Sequence, residues 1–194
     1  MLGIDEDKLR VLRDVSWDEL ERRLAAKGDA SVPRLAYLDG VLELVTPSRG
    51  HEQHGSWIGS LVEVYALERG IELSAFGSWT LLDRLRHAGA EPDECYILGD
   101  DSEEKLTRPH FAIELQWSRS AIDKLEVYKR LGVREVWLWA RPNTIAVHIL
   151  KRGKFHQVGR SACLPDLDLE LLCSFLDRPT MTRAMRDFRA ALQR

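Results

Sequence analysis

The sequence predicts an α/β (α+β) fold in which a mixed β-sheet is flanked by helices and preceded by an N-terminal helix and a β-hairpin. Segments with apolar residues at helical spacing lie near the beginning, the middle and the end of the chain. Short β-prone runs, separated by Gly, Pro and charged turns, lie between them. This mixture of elements is typical of a sheet with helices packed on its faces.

The first elements are a helix and a hairpin. Ser16 and Glu19 form a capping box, and the helix that begins there ends before Gly28. From Arg34 to Val45, apolar and polar residues alternate around Asp39-Gly40. This dipeptide accepts positive φ at both central positions of a type I′ turn, so the segment predicts a β-hairpin.

A second helix is predicted from His51 to Arg69, because apolar and aromatic side chains recur on one side of it and Gly70 can end it. The next four runs predict strands: Ile71 to Phe76, Trp79 to Leu82, Asp93 to Leu98 and Phe111 to Trp117.

A third helix is predicted from Ala121 to Leu131, with Ser120 and Asp123 at its start and Gly132 after its end. Three more strands, Glu135 to Trp139, Ile145 to Leu150 and Phe155 to Val158, precede a terminal helix from about Met181. Because no repeat or linker divides the sequence, residues 1–194 are expected to form one domain.

Composition and charge exclude several classes of protein. With 194 residues, 44% of them hydrophobic, the chain can bury one core without disulfides, which excludes collagen-like, disordered and mini-protein classes. A net charge of -3 gives no global basic field for nucleic acid. No apolar run is long enough to span a membrane, and Met1 to Arg13 lacks the apolar core of a signal peptide. The three cysteines lack the spacing of zinc ligands, so we expect a cytoplasmic protein with reduced thiols.

Two acidic residues and one lysine form the candidate site. Asp93 stands at the entry to a predicted strand, where Glu91-Pro92-Asp93-Glu94 can also be an ordinary strand-start turn. Glu114 lies within an apolar strand, where burying an unpaired carboxylate is costly. It is therefore expected either to form a structural ion pair or to bind a cation. Lys124 falls within the apolar arc of the third helix, a few residues after the Glu114 strand. A snorkelling lysine is the structural alternative.

Two carboxylates and a cation at the ends of two strands are suited to metal-assisted hydrolysis of phosphodiesters. Carboxylates supply hard oxygen ligands for Mg²⁺, and an ammonium can orient the attacking water and offset developing charge. Because two nearby carboxylates repel each other, we expect Asp93→Asn to cost the protein little stability.

Several motifs together resemble a known family. These are Glu91 to Tyr96, Gly77 to Leu81, His51-Glu52 and Lys124 to Trp137. The combination is similar to the Uma-two family of restriction endonucleases, in the PD-(D/E)XK nuclease superfamily, over about Ser16 to Leu172. The resemblance implies a restriction-endonuclease-like core, with a four-stranded mixed sheet flanked by helices and a divalent-metal site, with Mg²⁺ as the ion and Mn²⁺ as its substitute.

By position, the resemblance implies that Asp93 and Glu114 hold the metal and that Glu52, a third candidate metal ligand, completes or orients the site. Gln116 stands where the superfamily usually has lysine, and Lys124 on the following helix matches that lysine instead. Gln116 can polarise water or a phosphate oxygen, but it carries no positive charge.

The function expected from these residues is that of a Mg²⁺-dependent DNA endonuclease. The alternative is a nuclease-fold nucleic-acid-binding or regulatory module with little or no catalytic activity, which Gln116 and the acidic net charge favour.

Other residues carry secondary expectations. His51 can contact phosphate, whereas His54 lies in the apolar arc of its helix and is expected to pack in the core. Trp137 and Trp139 share one strand face, which predicts either a homodimer interface, as a double-strand cut requires, or burial within the core. The basic stretch from Arg178 to Arg194 is expected to be a solvated helix face.

Overall fold

The computed structural model describes residues 6–77, 79–99 and 107–193 of the chain. Within these ranges the helices are α1 (Trp17–Lys27), α2 (Arg49–Arg69), α3 (Lys124–Leu131), α4 (Leu169–Cys173) and α5 (Met181–Leu192). The strands before α3 are β1 (Lys8–Leu12), β2 (Arg34–Leu38), β3 (Val41–Thr46), β4 (Leu73–Phe76), β5 (Leu81–Asp83), β6 (Ala88–Ala90), β7 (Glu94–Leu98) and β8 (Phe111–Leu115). Those after it are β9 (Glu135–Ala140), β10 (Thr144–Lys151) and β11 (Lys154–Val158).

The strands form two sheets. The first sheet is antiparallel, with the order β1-β3-β2-β6-β5. The second sheet has the order β11-β10-β9-β8-β7-β4, and it is mixed because β8 and β9 run parallel on either side of the α3 connection. The predicted fold class, a mixed sheet flanked by helices, is confirmed, although this sheet has six strands rather than four and a second sheet lies beside it.

The helices separate into layers according to which sheet face they cover. α1 packs on the first sheet through Trp17 and Leu20. α3 lies between the sheets, where Val127 and Tyr128 share a core with residues of both. α2 covers the other face of the second sheet. Alternate residues of β8 therefore face different helices, and Glu114 points to the α3 side.

Trp137 and Trp139 are fully buried in the core beneath α2. Of the two alternatives for this pair, burial within the single chain is confirmed. The tryptophans therefore give no support to a homodimer interface.

Turn residues and helix caps in the sequence predicted most elements correctly. Asp39 and Gly40 both have positive φ, at 46° and 85°, as the predicted type I′ turn requires. Ser16 caps α1 by accepting from the Glu19 amide, and Gly70 ends α2 in the left-handed conformation.

The start of α3 differs from the prediction. The helix begins at Lys124, and Asp123 is its N-cap, whereas we predicted a start at Ala121. The Ser120 hydroxyl instead donates to the buried carboxylate of Glu43 and accepts from the Ile122 amide, which holds this segment outside the helix. β1, β6 and α4 were not predicted.

The remaining expectations concern the chain as a whole. None of the described helices is both long and apolar enough to cross a membrane. All three cysteines are free, as expected. α5 buries Ala184 and Phe188, and Arg189 on its exposed face pairs with Glu68, in agreement with the expected solvated basic face. Residues 1–5, Ser78 and Arg194, which belong to segments discussed above, lie outside the described residues.

Candidate active site

A cavity of about 590 Å³ lies where the two sheets meet. The first sheet contributes residues of β2 and β3 to its wall, and the second contributes residues of β8 and β9. The segment between β8 and α3 closes one side. The charged side chains that line the cavity are Asp7, Arg34, Glu43, His51, Glu91, Asp93, Glu114, Arg119, Asp123 and Lys124.

Asp93 is buried at the entry to β7 and is held from three directions. Arg34 donates to Oδ1 at 2.6 Å, and the Leu115 amide donates to Oδ2 at 2.8 Å. His51 Nε2 lies 3.1 Å from Oδ2. Asp93 thus connects β2, α2 and β8 at one point.

Glu114 and Lys124 form an ion pair across the β8–α3 connection. Lys124 Nζ lies 3.2 Å from Glu114 Oε2, and the Tyr128 hydroxyl donates to Glu114 Oε1. Lys124 and Tyr128 are one helical turn apart, so both reach the carboxylate from the same face of α3. Lys124 is therefore drawn inward by a specific partner, unlike a snorkelling lysine.

The charges of this group follow from its burial and its partners. Burial alone would raise the pKa of Asp93, but His51 and Arg34 hold it well below its usual value. Burial, together with Asp93, raises the pKa of Glu114, although Lys124 opposes this shift. Burial opposes the charged form of Lys124, but Glu114 and Asp93 raise its pKa. Lys124 is therefore an ammonium at neutral pH.

Glu52 and Gln116 lie at the periphery. The Glu52 side chain is 49% exposed, is not part of the cavity wall and pairs with Arg34 at 3.3 Å. Arg34 therefore joins Glu52 to Asp93 through one guanidinium. Gln116 lines the cavity with an exposed side chain, and its backbone N–H donates to the Trp139 carbonyl.

His51 is buried beside Asp93 and also contacts Asp7. Its Nδ1 donates to Asp7 Oδ2 at 2.8 Å, since a carboxylate oxygen can only accept. Its Nε2 faces Asp93 Oδ2 at 3.1 Å. Burial opposes the charged imidazole, but Asp93 and Asp7 raise the pKa of His51 to about 9. His54 instead packs against Trp139 and bonds the Gly50 carbonyl, as a core histidine would.

The side chains in the cavity fit a divalent ion that takes only some of its ligands from the protein. Among the residues that the structure describes, no three His, Cys, Asp or Glu side chains converge into a complete metal cage. Mg²⁺, however, is usually held by one or two carboxylates and keeps several waters. Asp93 and Glu114 line the same cavity, and the buried Nε2 of His51 has no hydrogen-bond partner there. These features fit the metal that the family resemblance implies.

Glu91, in the same motif as Asp93, is a structural carboxylate. Lys27 pairs with it at 2.5 Å, and Thr80 and the Leu35 amide donate to it. These three partners, one of them a lysine, fit a structural role for Glu91.

Sequence reasoning missed Arg34, Asp7, Glu43 and Tyr128. The spacing of Tyr128 from Lys124 was a usable signal, because residues four apart share a helix face. Arg34 and Asp7 reach the site only through the pairing of β2 and the course of the chain before β1, which no local pattern indicates.

Comparison with known proteins agrees with the resemblance. The model of the Uma2 (Uma-two) family, described as "Putative restriction endonuclease", matches residues 17–178. A crystal structure from Anabaena variabilis ATCC 29413, described as a "putative nuclease belonging to DUF820", has 17% sequence identity and a TM-score of 0.48 to this chain. That similarity covers 74% of this chain and 92% of the other. No curated protein matches the chain. The family match includes α1 to α4 as well as Asp93 and Glu114, so the chain belongs to the Uma2 restriction endonuclease family.

Proposed function

We propose that this protein is a metal-dependent endonuclease that hydrolyses DNA phosphodiester bonds in the cavity between the two sheets. The single observation that carries the proposal is the buried pair of carboxylates, Asp93 and Glu114, in one cavity with Lys124 Nζ 3.2 Å from Glu114. Membership of a restriction endonuclease family supports the same reaction class. The proposal treats residues 1–194 as one nuclease-like domain acting in the cytoplasm.

In this proposal Asp93 and Glu114 hold Mg²⁺, with Mn²⁺ as a substitute. When bound, the ion supplies Lewis-acid polarisation of the phosphate. Glu52 acts on the site through Arg34, whose guanidinium fixes Asp93 Oδ1.

Lys124 orients the attacking water and offsets the charge that develops on the phosphate. Because its pKa is raised, Lys124 carries a proton at neutral pH and acts as a donor and positive charge. Gln116, on the cavity wall, can orient the same water or a phosphate oxygen through its amide.

A nuclease-fold binding or regulatory module is the second candidate function. The observation that favours it is the engagement of Asp93, whose Oδ1 accepts from Arg34 and whose Oδ2 accepts from the Leu115 amide. A carboxylate whose two oxygens both accept hydrogen bonds from the protein can have a purely structural role.

Nicking of supercoiled plasmid distinguishes the two functions. We expect nicking with Mg²⁺ or Mn²⁺, and none with EDTA. Lys124→Met should retain metal binding but reduce cleavage by a factor of ~10² or more, since a group acting on the nucleophile or the developing charge is lost.

Lys129→Met is the matched control. Lys129 lies on the same helix but pairs with Glu126, and it is not part of the cavity wall, so cleavage should match the wild type. If Lys124→Met cleaves normally while Gln116→Ala is inactive, the lysine role belongs to Gln116. If the wild type cleaves neither DNA nor RNA with any divalent ion, the binding module is the correct function.

A further inference from the structure

His51 is a buried side chain whose ring nitrogens face two carboxylates, Nδ1 towards Asp7 and Nε2 towards Asp93. It is 4% exposed and lies in the first turn of α2. Nδ1 donates to Asp7, so Nε2 is the ring nitrogen whose lone pair a metal ion would take when it displaces the Nε2 proton. Nε2 is buried and has no hydrogen-bond partner, and His51 lines the cavity.

Asp7 is itself anchored, which fixes the orientation of the imidazole. Its Oδ1 accepts from the Ser48 amide at 2.8 Å, and its Oδ2 accepts from the Ser118 hydroxyl at 3.2 Å as well as from His51. Histidines that bind metals almost always donate their second ring N–H to such a carboxylate or carbonyl. The Asp7–His51 pair therefore has the arrangement of a supported metal ligand.

The spacing between His51 and Asp93 is also that of two ligands on one ion. Nε2 lies 3.1 Å from Asp93 Oδ2 without forming a hydrogen bond. Two donors that bind an octahedral ion at about 2.1 Å, at right angles to each other, lie about 3.0 Å apart. The two atoms thus need little movement to share an ion.

We propose that His51 Nε2 is a metal ligand beside Asp93, oriented by Asp7, and that it shifts the site's preference from Mg²⁺ towards first-row transition ions such as Mn²⁺ or Co²⁺. Imidazole suits transition ions, whereas Mg²⁺ takes oxygen donors almost exclusively. This inference rests on the proposed function, because it adds a ligand to the same metal site. The competing role for His51 is that of a charged partner of Asp93 with no part in metal binding.

Metal binding and spectroscopy test the proposal without any cleavage assay. Calorimetry with Mn²⁺ and with Mg²⁺ should show tighter binding of Mn²⁺ to the wild type. His51→Gln should weaken Mn²⁺ binding by a factor of ~10 or more, because even the loss of a residue that only supports a ligand has an effect of this size, and the difference between the Mn²⁺ and Mg²⁺ affinities should shrink. Pulsed electron paramagnetic resonance of bound Mn²⁺ should show nitrogen modulation from one imidazole, and His51→Gln should abolish it.

Two further variants sharpen the test. Asp7→Asn keeps the imidazole but weakens its anchor, so nitrogen modulation should persist while the Mn²⁺ affinity falls by a factor of ~10. His54→Gln is the matched control, because His54 lies on the same helix but bonds the Gly50 carbonyl and is not part of the cavity wall. It should change neither the Mn²⁺ affinity nor the nitrogen signal.

The proposal is overturned if the wild type binds Mn²⁺ without nitrogen modulation, or if a folded His51→Gln binds Mn²⁺ as tightly as the wild type. Should His51→Gln fail to fold, the nitrogen signal of the wild type decides the question alone. A wild type that binds no divalent ion overturns both this inference and the proposed function. One that cleaves DNA with Mg²⁺ but shows no nitrogen ligand to Mn²⁺ overturns this inference only.

Discussion

At the scale of single residues, Asp93 shows how a carboxylate can be a structural centre and a candidate ligand at once. The sequence suggested that it belongs to a repulsive pair, so that Asp93→Asn would cost little stability. The structure contradicts that reason, because Arg34 and the Leu115 amide donate to Asp93 and His51 lies beside it. Removing its charge leaves Arg34 and His51 buried with less compensation.

We therefore expect Asp93→Asn to lower the free energy of unfolding by ~3 kcal/mol, the lower end for breaking a buried ion pair. Urea unfolding followed by circular dichroism measures this change, and metal calorimetry on the same variant measures the loss of a ligand. Asp18→Asn is the control, because Asp18 and its partner Arg84 are both mostly exposed. Its effect should stay below ~1 kcal/mol. An unchanged urea midpoint for Asp93→Asn would restore the repulsive-pair explanation.

The sequence identified the residues of the candidate site that share one short stretch of chain. Glu114 and Lys124 are ten positions apart on a strand and the helix after it, so their approach follows from local periodicity and a short connection. Arg34 and Asp7 come from distant segments, and their approach depends on tertiary packing. Helical spacing and strand alternation carry no information about such contacts.

At the scale of elements, the segment between β8 and α3 depends on one buried carboxylate of β3. Glu43 is 1% exposed, and it accepts from the Ser120 hydroxyl and from the Ala121 amide at 2.7 Å. Its partners are both in the segment that leads to Lys124. Glu43 therefore fixes where α3 begins and, with it, the approach of Lys124 to Glu114.

We expect Glu43→Gln to destabilise the protein by ~1 to 2 kcal/mol, since the partly buried hydrogen bonds of Ser120 and Ala121 lose their charged acceptor. The Ala121 amide should exchange its hydrogen at least ~10-fold faster, because it loses a charge-assisted partner. Hydrogen exchange followed by NMR or mass spectrometry gives this rate.

Glu135→Gln provides the comparison for this effect. Glu135 is equally buried and accepts from the Ser161 hydroxyl and the Ala162 amide, but it is not part of the cavity wall. It should cost similar stability while leaving the exchange of Ala121 unchanged. Equal acceleration at Ala121 in both variants would mean that the segment responds to global stability and not to Glu43.

The elements that the sequence predicted are those with strong local signals, such as the caps of α1 and the turn residues Asp39 and Gly40. β6 is Ala88-Gly89-Ala90, which has no β-branched or aromatic residue, and only its pairing with β2 and β5 makes it a strand. The start of α3 was misplaced because Ser120 and Asp123 are both good N-caps. Glu43, from a distant strand, decides between them.

At the scale of the whole molecule, the oligomeric state of the protein should determine which DNA product appears first. If the proposed function holds, one cavity cuts one strand at a time, and a double-strand cut needs two copies. The burial of Trp137 and Trp139 leaves this requirement as the remaining reason to expect a homodimer.

We expect a chain that is monomeric by light scattering at micromolar concentration to convert supercoiled plasmid first into nicked circles. A two-fold dimer should instead give linear DNA early in the reaction. Comparing the scattering mass with the order of products over a range of protein concentrations checks the correspondence. A monomer that releases linear DNA without a nicked precursor would show that a single cavity makes both cuts.

The position of the cavity between two sheets also links ligand binding to thermal stability. Arg34 belongs to the first sheet and Glu114 to the second, so a ligand held between them is bound only while both sheets are folded together. Such a ligand stabilises the native state by mass action, by about 2.7 kcal/mol at a free concentration of 100 times its Kd. The melting temperature of this protein should therefore rise with each ligand that the cavity holds, and metals, nucleotides and short oligonucleotides can be ranked by that rise.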